Sequence, residues 1–314
     1  MGYRRSVIKK ILANKIDKWL ESIVDDNVRK VAKENCIITG GSITSLLLGE
    51  KPNDYDIYFK TKEATLIIAQ YYTKLFNDNR GTLATKALHS CNPRVEEKVI
   101  TNIKGEEENR VLVYIKSAGI AGEKQDEYAY FEGYNEVESD IFLSSAFDMA
   151  TELAEDLKPK YKPVFFSQNA ITLSDKVQLI IRFYGDPMDL HRNFDFVHAT
   201  CWYYRNLDYL ELPKEALEAT LSKSLIYMGS LYPIASIFRI RKFLSRGWRI
   251  TAGQLLKIIY QLPSVDLTNI EVLQEQLMGV DAAYMHQLIQ RLQNDGQRID
   301  EAYLAKLIDE IFED

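Results

Sequence analysis

Residues 37–59 read Ile-Ile-Thr-Gly-Gly-Ser-Ile-Thr-Ser-Leu-Leu-Leu-Gly-Glu-Lys-Pro-Asn-Asp-Tyr-Asp-Ile-Tyr-Phe. The leading isoleucines predict a short buried strand, and Gly40 and Gly41 permit backbone angles and a close approach that a side chain would block. We expect Ser42 to cap a short helix that Gly49 ends, so that an anion can lie against the first turn. The segment therefore predicts a strand, a phosphate-binding turn and a second strand.

Two aspartates flank a tyrosine at the start of the second strand. Because side chains alternate along a strand, Asp54 and Asp56 lie on one side and Tyr55 on the other. At about 5 Å and an effective dielectric near 20, their repulsion costs about 3 kcal/mol unless a cation or a raised pKa relieves it. Mg²⁺ suits a few carboxylates together with phosphate oxygens, and a pair of such ions serves in-line attack on a nucleotide phosphate.

The order and spacing of these residues resemble the signature of the nucleotidyltransferase superfamily that includes DNA polymerase β, CCA-adding enzymes and poly(A) polymerases. Eleven residues separate Ser42 from Asp54, and the match rests on Gly41, Ser42, Asp54 and Asp56. The resemblance implies a small mixed sheet with flanking helices and a metal-dependent transfer of nucleoside monophosphate. It covers about 20 residues and does not identify the acceptor.

A third carboxylate is expected on a later strand, and Asp195 stands among apolar residues in 194–198. Such an acid could complete the metal site and take the proton of an attacking hydroxyl. Glu138 and Asp140 are the alternatives, and a buried aspartate bonded to a nearby arginine or histidine is the structural reading. We also expect Asn169, Lys176 and Arg182 to reach the nucleotide, with Gln178 as a further candidate, on their proximity to the predicted strands alone.

Charge is unevenly distributed, although the net charge of the 314-residue chain is only −6. Residues 219–265 contain no acid, whereas eleven acids follow from residue 266 onward. On a predicted helix, Arg239, Lys242 and Arg246 share a face that suits a nucleic-acid backbone, and the run resembles the neck helix of CCA-adding enzymes. A salt-bridged contact with the acidic tail is the alternative.

The chain is long enough for two domains. We predict an N-terminal helical segment (1–35), a catalytic domain (36–210) with an insertion around 85–140, and a helical C-terminal domain (211–314). Three widely spaced cysteines favour a reducing cytoplasmic setting, and no apolar run is long enough to span a membrane.

The sequence thus predicts an α/β nucleotidyltransferase with two Mg²⁺ ions, for which Mn²⁺ can substitute. It moves a nucleoside monophosphate from a nucleoside triphosphate to an acceptor hydroxyl, and an RNA 3′ end is the first choice of acceptor. A protein or small-molecule acceptor is the alternative, and a non-catalytic nucleotide-binding or scaffold module of the same fold is the alternative from another class.

Overall fold

The computed structural model describes residues 2–79, 92–102, 105, 107–116, 160–167 and 169–265, together with residues 272, 276, 305 and 306. Its helices are α1 (Arg5–Ser22), α2 (Asp26–Asn35), α3 (Gly41–Leu48), α4 (Lys62–Asn79), α5 (Pro187–His191), α6 (Lys214–Leu221), α7 (Pro233–Ser245) and α8 (Ala252–Gln261). Its strands are β1 (Cys36–Thr39), β2 (Tyr55–Phe59), β3 (Asn92–Thr101), β4 (Glu107–Lys116), β5 (Pro163–Phe166), β6 (Ala170–Leu173), β7 (Val177–Tyr184), β8 (Trp202–Tyr204), β9 (Tyr209–Glu211), β10 (Ser224–Leu225) and β11 (Arg249–Ile250). Short 3₁₀ helices occupy Val197–Ala199 and Leu262–Ser264.

A seven-stranded mixed sheet forms the centre of the fold, in the order β5-β6-β7-β2-β1-β8-β9. Strands β2 and β7 are parallel, and every other neighbouring pair in this sheet is antiparallel. The predicted α/β class, with a small mixed sheet and flanking helices, is confirmed.

One face of the sheet packs against the N-terminal helices and α4. Alternation in β2 sends Ile57 into this core, where it meets apolar residues of α1 and α4. Trp19 of α1 is fully buried, and its indole N–H donates to the Tyr72 hydroxyl of α4 at 2.7 Å. The large apolar residues at this face fix the register of β2, because a shift by one residue would turn Ile57 outward.

The alternate side chains of β2 point to the opposite face of the sheet. Tyr58 packs there with Ile37 and with Leu190 of α5. Since Asp54 and Asp56 precede Tyr58 at two-residue intervals, they follow the same side of the strand. The register of the core therefore directs both acids to this second face, which we call the acid face.

The predicted insertion contains a hairpin, in which β3 and β4 pair over ten residues each. The sequence predicts a strand at 111–115, within β4, whereas the polar residues 77–109 do not predict β3. Charged residues are frequent in β3 because the hairpin stands partly in solvent, and Lys62 of α4 forms an ion pair with Glu97 at 2.8 Å. Glu138 and Asp140 lie outside the described residues.

Helices α7 and α8 follow the sheet, as the helical C-terminal prediction requires, and the two-residue strands β10 and β11 pair in parallel beside them. The last strand of the large sheet ends at Glu211. None of the described helices is long and apolar enough to cross a membrane. The predicted domain limits and the cytoplasmic location stay predictions.

Candidate nucleotide and metal site

The glycine turn lies directly against one of the two aspartates. Gly40 has φ +93° and ψ −151°, a conformation that side chains disfavour, and its N–H donates to the Ala199 carbonyl at 3.1 Å. A Cβ built on Gly40 would lie 3.4 Å from Oδ2 of Asp56, whereas no described atom lies within 4 Å of a Cβ on Gly41. The fold thus joins the two parts of the sequence motif and leaves space beside Gly41.

Ser42 differs from the prediction in its position on α3. The helix begins at Gly41 with Gly40 as its N-cap, so the serine belongs to the first turn and the prediction that it caps the helix is wrong. Glycine at both positions lets the helix start two residues earlier than predicted. The Ser42 side chain is buried, and its hydroxyl has no hydrogen-bond partner among the described residues. A buried hydroxyl without a partner is costly, so Ser42 is suited to bind a ligand atom.

Asp54 and Asp56 form a crowded pair. Asp56 is half-buried, and its burial together with the neighbouring charge of Asp54 raises its pKa to about 8. Asp54 is exposed overall, but protein around its carboxyl raises its pKa, and the positive charges of Lys242 and Lys176 oppose this rise. The pKa values of both carboxylates are raised, and a bound cation would relieve the repulsion between them.

Asp195 lies in a different setting from the one predicted. Residues 194–198 are not a strand: Asp195 sits in a bend before the 3₁₀ helix Val197–Ala199. Its buried carboxylate accepts a hydrogen bond from Nη1 of Arg239 in α7, and its Oδ1 has no partner among the described residues. Within the described part of the chain, no three His, Cys, Asp or Glu side chains form a potential metal-binding group. The structure thus does not bring Asp195 into a metal-ligand cluster with Asp54 and Asp56.

The three residues expected to reach the nucleotide lie at two ends of β7. Lys176 precedes the strand, has φ +60°, and accepts the N–H of Tyr55 at its carbonyl, beside the acid pair. The carbonyl of Asn169 instead accepts the N–H groups of Ile181 and Arg182 at 2.9 and 3.2 Å. Arg182 is four residues beyond the partner of Asp56 in β7, roughly 13 Å along the strand.

The side chain of Arg182 is also engaged elsewhere. It is buried, donates to the Tyr232 hydroxyl, and stacks over the rings of Phe183 and Tyr232. Of the three residues, the structure therefore brings only Lys176 close to the acid pair.

Gln178 and Tyr58 extend the acid face, and of these two only Tyr58 was not singled out from the sequence. Gln178 lies opposite Asp56 in the register between β2 and β7. Tyr58 is buried, and burial followed by the charge of Asp56 raises its pKa well above the usual range. Tyr58 could have been found from the two-residue alternation, whereas Gln178 was expected near the site and the strand register adds its place opposite Asp56.

The basic residues of α7 have different surroundings. Arg239 is bonded to Asp195, and the positive charge of Lys242 opposes the rise in the pKa of Asp54. Arg246 is the C-cap of α7, and its carbonyl accepts from Nζ of Lys223 at 3.3 Å. Helix α7 therefore pairs one of the three predicted nucleic-acid-binding residues with a buried acid.

The described chain is a mixed α/β fold in which a glycine turn packs against one of two paired carboxylates. A model of the Gabija anti-defense 2 (Gad2) family matches residues 10–223, and the chain belongs to that family. The match includes the glycine turn, both aspartates and Asp195, and it ends before α7.

Among solved structures, the chain is similar to the Thermotoga maritima CCA-adding enzyme complexed with tRNA_CCA, at 14% identity and a TM-score of 0.38. The alignment covers 95% of this chain and 66% of that one, so the chain spans slightly less than two thirds of the enzyme. A likeness at this level assigns neither a residue role nor an activity to this chain. No curated protein matches the sequence.

Proposed function

We propose that this chain is a metal-dependent nucleotidyltransferase, which moves a nucleoside monophosphate from a nucleoside triphosphate to an acceptor hydroxyl and releases pyrophosphate. The observation that carries the proposal is the packing of Gly40 against Oδ2 of Asp56, with 3.4 Å from a built Cβ to that oxygen. A phosphate-binding turn and a metal-binding carboxylate must be adjacent if one nucleotide is to touch both.

The donor set fits magnesium. Asp54 and Asp56 supply carboxylate oxygens, and the raised pKa of each indicates a site that favours a cation over two free negative charges. The two aspartates would hold Mg²⁺, with Mn²⁺ as a substitute, and share two ions with the phosphate oxygens. When bound, such ions neutralise charge that develops on the transferred phosphate.

The protein groups have separable tasks in this proposal. Gly40 and Gly41 admit phosphate oxygens close to the backbone, and the first amides of α3 face the resulting negative charge. The partnerless hydroxyl of Ser42 donates to the same phosphates. Asp195 is left out of the metal set because Arg239 engages it.

Two acceptors have support. An RNA 3′ end is favoured by the acid-free basic stretch of residues 219–265. A protein of the Gabija system is favoured by the family name, which describes its members as Gabija anti-defense proteins. The protein acceptor gains further support from Arg239, since its ion pair with Asp195 engages one of the three predicted nucleic-acid-binding cations. In either case we propose that the transfer counteracts the Gabija system.

The test is transfer of label from each of the four α-labelled nucleoside triphosphates in the presence of Mg²⁺. Total RNA and purified Gabija proteins are supplied as acceptors in separate reactions. We compare the wild type with an Asp54→Ala/Asp56→Ala double variant and with Glu215→Gln, an exposed acid on α6 that serves as the control. Label in RNA or in protein, lost in the double variant and retained in the control, identifies the acceptor.

If the chain is a non-catalytic binding module, a different pattern of labelling and activity in cells is expected. The wild type would transfer no label from any triphosphate, and the double variant would still counteract the Gabija system in cells. That pair of results would overturn the enzymatic proposal.

A further inference from the structure

His191, the last residue of α5, lies beside the glycine turn on the acid face of the sheet. We propose that its Nδ1 takes the proton of the acceptor hydroxyl, and that Thr39 is a positioning residue that holds the ring in the tautomer this requires. The inference rests on the proposed function, since it names the group that activates the acceptor at the same site.

The first step concerns where the imidazole lies. Its Nε2 is 2.9 Å from Oγ1 of Thr39, the last residue of β1. Ile37 packs on the acid face, so alternation gives Thr39 the same face, and the pairing of β1 with β2, continued by one residue, places Thr39 opposite Asp56. The next residue, Gly40, has the 3.4 Å approach to Oδ2 of Asp56. These contacts place the ring of His191 near both the glycine turn and the acid pair.

The second step concerns the protons between His191 and Thr39. A hydroxyl has one proton to donate, and Oγ1 of Thr39 lies 2.8 Å from the Cys201 carbonyl and 3.4 Å from the Ala199 carbonyl, which can only accept. Because the hydroxyl donates to Cys201, its oxygen accepts the N–H of Nε2 of His191. Burial lowers the pKa of His191 to about 4, so near neutral pH the ring carries this one proton. Nδ1 therefore keeps a lone pair that can accept.

The third step concerns access to that lone pair. The His191 side chain is half-buried, and its Nδ1 is neither bonded to a described residue nor closed off from solvent. Phe194 packs against the ring with 5.0 Å between centroids, and Tyr58 packs against Phe194 in turn. His198 offers no such group, since it is buried among rings and its Nδ1 is closed off. His191 thus combines a fixed ring with an accessible acceptor nitrogen.

The fourth step concerns the reaction. The sequence assigned the proton of the acceptor hydroxyl to Asp195, but Arg239 engages that acid. As the hydroxyl oxygen bonds to the α-phosphorus, its proton passes to Nδ1 of His191, and the bond from the α-phosphorus to the bridging oxygen breaks with its electrons on pyrophosphate. The imidazolium then returns its proton to solvent. A bound triphosphate places negative charge near the ring and raises the pKa of the imidazole while the transfer proceeds.

The first measurement requires no catalytic activity. Nitrogen NMR of the histidine rings distinguishes a protonated from an unprotonated ring nitrogen, and His191→Gln identifies the signal of His191 among the four histidines. Near neutral pH we expect the Nε2–H tautomer in the wild type and a mixture of tautomers in Thr39→Val. An Nδ1–H tautomer in the wild type would overturn the inference.

The second measurement separates the rate of transfer from nucleotide affinity. Single-turnover transfer of label to total RNA or to purified Gabija proteins is compared with binding of a non-hydrolysable triphosphate, for His191→Gln, Thr39→Val and the exposed neighbour Arg192→Gln. Glutamine can still donate to Thr39 but has no basic lone pair. We expect His191→Gln to slow transfer by about a hundredfold to ten-thousandfold and to change triphosphate affinity by less than about twofold. Thr39→Val should slow transfer by a smaller factor, and Arg192→Gln should match the wild type.

Two results would overturn the role of His191. One is wild-type transfer by folded His191→Gln, and the other is a loss of triphosphate affinity as large as the loss of rate, which would mean that the ring serves the nucleotide. If His191→Gln fails to fold, His191→Asn carries the same test.

These outcomes are distinguishable from failure of the proposed function. If the wild type transfers no label to any acceptor, the proposed function fails and the role of His191 fails with it. If the wild type transfers label and His191→Gln transfers it equally fast, only the inference about His191 fails.

Discussion

Replacing Asp56 by asparagine should stabilise the protein when no divalent metal is present. Burial and the charge of Asp54 raise the pKa of Asp56 to about 8, whereas the carboxyl of an unfolded chain has a pKa near 3.9. At pH 7 ionisation of this carboxyl therefore lowers the free energy of the unfolded state but not that of the folded state. At about 1.4 kcal/mol per pKa unit, this difference costs the folded wild type at most about 4 kcal/mol.

The sign of the pH dependence follows from the direction of the shift. Below about pH 4 the carboxyl is protonated in both states, so the wild type and Asp56→Asn should differ little. As the pH rises from about 4 to 8, the metal-free wild type loses stability that Asp56→Asn retains. The advantage of the variant should reach its maximum near pH 8.

The assay is urea denaturation at pH 4.5 and pH 8, with EDTA or with Mg²⁺. At a concentration about a hundredfold above its Kd, Mg²⁺ should stabilise the wild type by about 2.7 kcal/mol and leave Asp56→Asn unchanged. Glu215→Gln should follow the wild type within about 0.5 kcal/mol. The reasoning is refuted if Asp56→Asn is less stable than the wild type in EDTA, or if Mg²⁺ stabilises both equally.

Three further predictions concern other residues. Gly40→Ala should lower the free energy of unfolding by about 1–2 kcal/mol because of the positive φ at this position, and it should also weaken triphosphate binding. Gly247→Ala, at φ +77°, should show the stability loss in melting curves without a change in binding. Ser42→Ala should match or exceed wild-type stability yet bind triphosphate less tightly. Thr220→Val, which also removes a buried hydroxyl without a described partner, should not change binding, and equal affinity for both variants would contradict the role of Ser42. Burial lowers the pKa of His198 to about 4, so the contribution of this residue to stability should fall by at most about 3 kcal/mol from pH 6.5 to 4. His198→Phe should reduce that fall in denaturation curves, and an unchanged slope would contradict it.

The glycine turn and the acid pair could be predicted because each rests on local chemistry. Gly40 needs a positive φ that few other residues tolerate, and alternation places Asp54 and Asp56 on one side whatever the strand pairs with. The predicted start of α3 was wrong by two residues because glycine at position 41 does not forbid helix. Rules of this kind depend on neighbouring residues alone and can therefore be applied to the sequence.

The surroundings of the acid pair could not be predicted, because they depend on long-range pairing. The apolar run around Asp195 indicated a strand, but the chain there bends to pair with residues 226–228. The basic face of α7 could be predicted, whereas the ion pair of Arg239 with Asp195 and the packing of Phe243 against Phe196 could not. Charge pattern alone does not distinguish a solvent-exposed basic face from one that neutralises nearby acids.

Anomalous scattering from crystals grown with Mn²⁺ and a non-hydrolysable triphosphate tests most directly whether the glycine turn and the aspartates act as one site. We predict manganese peaks bound by the carboxylates of Asp54 and Asp56, with the triphosphate against Gly40 and Gly41. Manganese bound at Asp195 instead, or a triphosphate that lies away from the glycine turn, would contradict the proposed site.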